Sequence, residues 1–517
     1  MREAYLGIDC GTQSTKALVL DADTGETLGI GRAGYDIVSR PDGTREQDPR
    51  WWIEAMVPAV RSALAVSGDV EVAGISVSGQ QHGLVALDAA DVPVRGAKLW
   101  NDTSTVADSV ALTERMGGEL KVHAVTGNVF LAAYTAPKIA WLRRCEPEAY
   151  GRARRFCLPH DWLNLWLSGT FASEAGDASG TAYFDIRSRR YAPEVLAALD
   201  DGRDWQSALP PILPSDAVLG TLRGHAASAL GLRAGIPLAT GGGDNMCAAI
   251  GVGAVVRGVA VISLGTSGTI FGRADEPAVD PLREVSAFCD STGGWLPLAC
   301  VLNCTLPIEW ARGLFGIDRP SLERIISTAV PGASGLRFVP YLDGERTPNL
   351  PNAAGEFSGV RSLHSGQDFV QAVVEGVTSG LAHALEAFRR TGSPAHELLL
   401  VGGGARSDAW AQLLADWLGL RISRPIVDEA AARGAAIQAA HAIGGRSWLY
   451  PATFDGQWEP RRTREVAELA ASYLELGAAP RQAGAAASAN ATAASAVIRR
   501  PSAHSEASDS ASSSSRS

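Results

Sequence analysis

Two short aliphatic runs, AYLGID at 4–9 and KALVLD at 16–21, flank the polar stretch CGTQST, a pattern that predicts a strand, a tight turn and a second strand. The same pattern returns at 259–271, where VAVISLG, TSG and TIF predict another hairpin on a Gly-Thr-Ser-Gly turn. The paired Gly-Thr turns point to an internal duplication. Between them, VAGISVSG (72–79) has the make-up of a buried strand, and apolar spacing predicts helices around 51–66 and 104–116. A Pro/Gly-rich segment runs from about 209 to 243, and a domain boundary is placed at its end, giving units over 1–243 and 244–476. In the second unit the periodicity predicts a helix over 366–391, a strand at 397–404 (ELLLVGGG) and a helix from Trp410 to Leu418. Strand, glycines, helix is the order of a nucleotide pocket. From 478 to 517, 25 of 40 residues are Ala or Ser and none is aromatic, so 477–517 is expected to be a disordered tail.

At 517 residues the chain is about twice the ~250–300 at which one core stops growing, which agrees with two domains. Its 46% hydrophobic and 20% charged residues are those of a globular protein. A formal charge of −10 repels nucleic acid and anionic membranes, and neither is expected as a partner. Seven scattered cysteines with no C-x-x-C read as reduced thiols of a cytoplasmic protein. The N-terminus lacks the apolar core of a secretory signal, and the longest uncharged apolar candidate, Ser291 to Ile308, is interrupted by Pro297 and Pro307.

Chemistry concentrates at a few places. A tight Gly-Thr hairpin presents backbone N–H groups and hydroxyls to one concavity and can hold phosphate oxygens without a lysine-bearing P-loop, of which the chain has none. Either turn alone is as well read as a plain hairpin; two together favour phosphate. Asp9 ends the first strand beside that turn and is a candidate to hold Mg²⁺ through water, the alternative being a turn-capping Asp. In ATGGGDNMCAAIGVGAV (239–255), Asp244 follows three glycines and opens a small-residue helix. It reads as a helix N-cap or, because capping does not require Gly-Gly-Gly, as a carboxylate brought up to a substrate hydroxyl. A helix N-terminus there would favour its ionised form. Gln81 and His82 follow the strand at 72–79, where α/β sheets bind ligands, although a lone His is more often a core residue. Trp100, Asn101 and Asp102 are polar groups suited to a polyol, with packing the alternative for Trp100.

Together these segments resemble the FGGY carbohydrate kinases, and among them the xylulokinases, which carry GIDxGT near the start, S/A-G-Q-x-H-G, W-N-D, and GGGDN before the second hairpin. The resemblance spans about 4–445 and is strongest in TGNVFLAAYTAPKIAWL (126–142), LPHDWLNLWLSGTFASEAGDASGT (158–181), VPYLDGERTPNLPNAAGEFSGV (339–360) and VGGGARSDAWAQLLAD (401–416). It implies an α/β, two-domain, actin-like ATPase (ribonuclease H-like) fold, each domain a mixed five-stranded sheet flanked by helices, with the active site in the interdomain cleft. It further implies Asp244 as general base, with Asp9 as the aid to Mg²⁺ and phosphate. Gln81, His82, Trp100, Asp102 and Asn245 would meet the sugar, Thr12, Gln13 and Thr266 the phosphates, and Gly403, Gly404 and Asp408 the adenosine. Three positions depart from the pattern: Gln81 for a usual Met, Thr103–Ser104 for a usual Arg two residues beyond Asp102, and Asn349 for a usual His.

The function so implied is ATP- and Mg²⁺-dependent phosphorylation of D-xylulose at its 5-hydroxyl. A small-molecule sugar and ATP are the expected partners, and a homodimer is allowed for. The departures leave open another pentulose, such as ribulose, or a polyol as acceptor. A non-catalytic actin-like binder of sugar and nucleotide is the rival of another class, and Asp244 speaks against it.

Overall fold

The computed structural model describes residues 1–461, 464 and 466–473; the tail expected at 477–517 lies outside the described residues. The first hairpin is β1 (Arg2–Cys10) and β2 (Ser14–Asp21), followed by β3 (Thr27–Gly34) and the helix α1 (Pro49–Val66). Asp48 caps α1 through Arg50 N, and Pro49 at its first position has no N–H to leave unpaired. Strand β4 (Val70–Gly79) runs parallel to β1, and α2 (Pro159–Ser168) lies beyond it in the chain. The Pro/Gly-rich stretch contains more structure than its composition suggests: β5 (Val218–Thr221), β6 (Pro237–Ala239) and β7 (Gly242–Gly243). Strands of two to four residues are too short to show alternation, which is why sequence periodicity misses them. Helix α3 (Asp244–Gly251) follows at once.

The second hairpin is β8 (Gly258–Leu264) and β9 (Gly268–Gly272), with β10 (Val285–Ser286) and β11 (Leu298–Val301) beyond. Helices α4 (Thr305–Phe315), α5 (Arg319–Thr328) and α6 (Gly366–Arg390) lead to β12 (Ala395–Val401), α7 (Asp408–Leu418), β13 (Arg421–Pro425), α8 (Ala430–Gly444) and β14 (Phe454–Trp458). The strand expected to reach 404 stops at Val401, because Gly402 turns left-handed (φ 93°). Helix α7 starts two residues before Trp410, with Ser407 Oγ accepting from Trp410 N.

Each half is a sheet of seven strands rather than five. The first has the order β5-β6-β4-β1-β2-β3 with β7 beside β4, the second β10-β11-β9-β8-β12-β13-β14. Five strands repeat: β3-β2-β1-β4-β6 matches β11-β9-β8-β12-β13, with the first two neighbour pairs antiparallel and the next two parallel in both. The duplication read from the two Gly-Thr turns is therefore a duplication of sheet topology. The halves are interlocked. Helix α8 packs on β1, β2 and β4 of the first sheet and crosses α3, where backbones approach so closely that a Cβ at Gly251 would collide with Ala430 O and one at Gly434 with Cys247 O. Met246 and Ala249 of α3, with Val252 just beyond it, share a buried cluster with Val261 and Leu399 of the second sheet. Among the described residues no helix is long and apolar enough to cross a membrane.

Candidate active site

The C-terminal ends of β1, β4 and β7 converge. Asp9 stands opposite Lys16 in the antiparallel register of β1 and β2, and Lys16 Nζ donates to Asp9 Oδ2 at 3.1 Å. Ser78 Oγ, on the neighbouring β4, donates to Asp9 Oδ1 at 3.0 Å. Asp9 is thus a buried carboxylate pinned on both oxygens, not a turn cap. Asp21 supplies the turn cap, at the far end of β2, where it accepts from the N–H groups of Asp23 and Thr24. Lys16 also pairs with Glu429, at 3.5 Å, which precedes α8. Sequence reasoning passed over Lys16, although seven residues across a tight hairpin put it opposite Asp9.

Asp244 is the first residue of α3, and Gly243 occupies the N-cap position, so the capping role is excluded. Its Oδ1 accepts from Asn245 N at 2.8 Å and from Asn245 Nδ2 at 2.9 Å. The carboxyl, half-buried at the cleft, is pushed up to about 7 by desolvation, then by the neighbouring carboxylates Asp9 and Asp177, which outweigh the hydrogen bond from Asn245 N. Burial and the neighbouring acids thus act against the helix N-terminus, which by itself favours the ionised form. The three glycines before it also serve a purpose other than substrate access. Gly243 meets Gln81 Cγ, 2.8 Å from where its Cβ would lie; a Cβ on Gly242 would collide with Ser291 Oγ, and one on Gly241 with Val77 O.

Asn245 Nδ2 donates to Gln81 Oε1 at 2.9 Å, so Asp244, Asn245 and Gln81 form one chain. Gln81 Nε2 and His82 Nδ1 are buried with no hydrogen-bond partner among the described residues. His82 sits at φ 67° with its ring edge-on to Tyr134 at 4.8 Å and beside Phe288 at 5.7 Å, so the second half contributes to its wall. Burial and the nearby Lys138 lower its pKa to about 3, which keeps it neutral. Trp100 is exposed and donates from Nε1 to Thr12 Oγ1 at 2.9 Å, placing it at the first Gly-Thr turn. Asp102 departs from the expectation. It is fully buried, and its carboxylate accepts from Arg45 N, Lys98 Nζ, Ser104 N and Ser104 Oγ, which leaves it structuring the W-N-D turn rather than facing the cleft.

In the two Gly-Thr hairpins, Gly11 N donates to Ser14 O and Gly265 N to Ser267 O, both at 3.1 Å, with Thr12 partly exposed and Gln13 and Thr266 exposed. Gly403, Gly404 and Asp408 line a cavity of about 510 Å³ with Thr305, Glu309 and Trp410. Gly404 is required there, since its Cβ would lie 2.9 Å from Leu264 Cβ and from the Trp410 ring, while Gly403 opens to free space. Asp408 pairs with Arg424 at 2.9 Å at the rim.

The FGGY N-terminal domain of carbohydrate kinases matches residues 4–251 and the FGGY C-terminal domain matches 260–443. The chain belongs to the FGGY family of carbohydrate kinases. This kinase is 39% identical over 447 residues to a xylulose kinase of Haemophilus influenzae, covering 85% of this chain and 91% of that one. It is 40% identical over 455 residues to a xylulose kinase of Streptomyces rubiginosus, covering 88% and 90%. The solved xylulose kinase of Bifidobacterium adolescentis superposes with a TM-score of 0.82 at 34% identity, covering 91% of this kinase and 99% of that chain.

Among the described residues no group of three or more His, Cys, Asp or Glu is arranged to hold a metal ion. Mg²⁺ needs no all-protein cage, since that ion keeps most of its waters and is bound by substrate phosphates plus one or two carboxylates. Asp9, pinned by Lys16 and Ser78 beside the first hairpin, is a donor of that kind.

Proposed function

We propose that the kinase transfers the γ-phosphoryl group of ATP to the 5-hydroxyl of D-xylulose, giving D-xylulose 5-phosphate and ADP. The observation that carries this reading is Asp244, joined through the Asn245 amide to Gln81 and near enough to Asp9 that the neighbouring charge adds to burial in pushing its carboxyl up to about 7. A base for an alcohol works best when its pKa lies close to the working pH. Likeness in fold and in sequence to kinases named for xylulose supports the acceptor.

Gln81 and His82 hold the sugar, Thr12, Gln13 and Thr266 the phosphates, and Gly403, Gly404 and Asp408 the adenosine. The acceptor must be acyclic, because a pentulose that closes its furanose ring through O5 has no O5 to offer. Asp244 takes the proton of that hydroxyl as O5 bonds to the γ-phosphorus and the bond to the β,γ-bridging oxygen breaks, so that ADP leaves. Such loose, in-line transfer depends on alignment and charge more than on covalent chemistry. Mg²⁺, held through water by Asp9, would neutralise charge on the β- and γ-phosphates. Lys16 keeps Asp9 oriented.

A coupled ADP-release assay across D-xylulose, D-ribulose, other ketoses and pentitols tests the reading. D-Xylulose is expected to give the highest kcat/KM. A higher value for another pentulose or a polyol would reassign the acceptor, a result that the Gln81 departure would then explain. No acceptor-dependent ADP release with any of them would leave only a binder.

A further inference from the structure

Three consecutive glycines have little rigidity of their own, and ordering them costs more backbone entropy than any other tripeptide would. Yet Gly241, Gly242 and Gly243 carry Asp244, so its position has to be imposed from outside the loop. Two of the anchors are the parallel pairings of Gly242 with Ser78 and of Gly243 with Gly79. The third comes from the opposite half of the chain. Gln438, buried on α8, donates from Nε2 to Gly241 O and to Ser215 O, both at 2.9 Å, and its Oε1 accepts from Ser76 Oγ at 2.7 Å. That amide has no polar atom unused, and its orientation is fixed by the hydroxyl at one end and two carbonyls at the other. Ser291, also from the C-terminal half, packs its hydroxyl against Gly242.

We propose that Gln438 is a positioning residue for phosphoryl transfer: by holding the Gly241 carbonyl it fixes where the Asp244 carboxylate meets the acceptor hydroxyl, and it ties that place to the half that carries the nucleotide. This rests on Asp244 being the base. An ångström of misplacement in such a constellation can cost about a hundredfold in rate without weakening ground-state binding. Gln438 is fully buried and its amide is engaged by Ser76, Ser215 and Gly241, so its effect is through alignment.

The test is steady-state kinetics of Gln438→Met, which keeps the volume and loses both donors, beside Ser76→Ala, which removes the hydrogen bond at the other end of the same amide and leaves the Gly241 contact. Turnover of Gln438→Met is expected to fall at least about tenfold, with KM for D-xylulose and ATP within about twofold of wild type and more ATP hydrolysed per sugar phosphate formed. Ser76→Ala is expected to lose a comparable amount of melting temperature and to keep its turnover. Wild-type turnover in Gln438→Met, or an equal loss in both variants, would overturn the proposal and leave Gln438 a packing residue. Should Gln438→Met not fold, Gln438→Asn, whose amide is one methylene short of Gly241 O, is judged by the same criteria. Asp244→Ala is measured in parallel: if it retains turnover both readings fall, and if it is inactive while Gln438→Met runs at the wild-type rate, only the positioning role fails.

Discussion

Asn245 Nδ2 stands 2.9 Å from Gln81 Oε1, joining the start of α3 to the residue just beyond β4. Because the same nitrogen also donates to Asp244 Oδ1, the proposed sugar contact and the proposed base share one amide. Asn245→Ala is expected to raise KM for sugar several-fold and to lower turnover about tenfold or more, with KM for ATP little changed. A substitution at Gln81 to the Met usual in xylulokinases would also remove the acceptor of this bond. If Asn245→Ala altered neither sugar KM nor turnover, the shared amide would have no part in the reaction.

Asp244→Ala is expected to reduce turnover by ~10²–10⁴-fold while nucleotide binding persists, the range for a positioned acid or base. Retention of more than about a third of wild-type turnover, in protein shown folded by circular dichroism, would rule out the base. The acid limb of kcat/KM should have its midpoint near the Asp244 value of about 7, activity falling as pH drops and the carboxyl protonates. His82, lowered to about 3, stays neutral through that range and cannot produce the limb. A limb centred near 4 would mean that Asp244 has the pKa of an exposed carboxyl when the enzyme works.

The space around the glycine run gives a rescue experiment. Gly242→Ala adds a Cβ that collides with Ser291 Oγ and comes to 3.3 Å from Glu174 Oε1. It is expected to lower turnover at least about tenfold, because the loop must shift. Ser291→Gly in the same protein removes the colliding hydroxyl and should restore most of the loss. No recovery in the double variant would place the cause in backbone freedom rather than in this contact.

The hairpins and the order of motifs are legible in the sequence because β-branched runs and Gly-Thr turns are local, and so are the candidate residues at or just beyond the end of a strand, Asp9, Gln81 and Asp244. The glycine run is visible too, but its reason is not, since Ser291, Glu174 and Gln438 reach it from 49, 68 and about 200 residues away. Asp102 misleads for the same cause: nothing local tells that Arg45 N and Lys98 Nζ turn its carboxylate inward. Likewise, His160 between Asp177 at 2.6 Å and Asp161 at 3.2 Å, wholly buried behind the glycine loop, is assembled from LPHDW and EAGDAS, whose contact no periodicity reports.

That buried group sets the pH dependence of stability. Burial pushes Asp161 and Glu174 up to about 7 and raises Asp177 well above the usual range, and Asp244 and Glu375 also stand near 7. In the unfolded chain all five titrate near 4, so between about 4 and 7 the native state holds protons that the unfolded state has released. Stability therefore falls as pH rises through that window, and the five carboxyls outweigh the opposite slope of His82. Lys138, lowered to about 7, acts in the other sense only above that value. The melting temperature is expected to be higher at pH 5.5 than at pH 7.5, and Asp177→Asn should flatten the difference. A melting temperature that climbs from 5.5 to 7.5 would mean that these carboxyls are ionised at little cost.

Binding of both substrates is expected to close the cleft about a pivot that the structure locates. The segment 285–295 of the second half is fastened to the first: Asn128 donates to Ala287 O at 2.7 Å and accepts from Ala287 N at 2.8 Å, Cys289 N donates to Ser179 Oγ at 3.1 Å, and Trp295 Nε1 donates to Ile186 O at 2.8 Å. With Phe288 also against the His82 ring, the halves cannot separate on this side without breaking buried hydrogen bonds. The α3–α8 crossing is equally rigid, its backbones in contact through Gly251 and Gly434. Closure is therefore expected to move the side bearing Gly403, Gly404 and Asp408. Closure there would bring the γ-phosphate to the acceptor and shut out water, which otherwise competes for it. Small-angle scattering should show a modest fall in radius of gyration with D-xylulose plus a non-hydrolysable ATP analogue, and D-xylulose should stimulate ADP release. Asn128→Ala, which loosens the pivot, should weaken that stimulation. An unchanged radius at saturating ligands would mean that the cleft is formed before they arrive, and that water is excluded by the sugar itself.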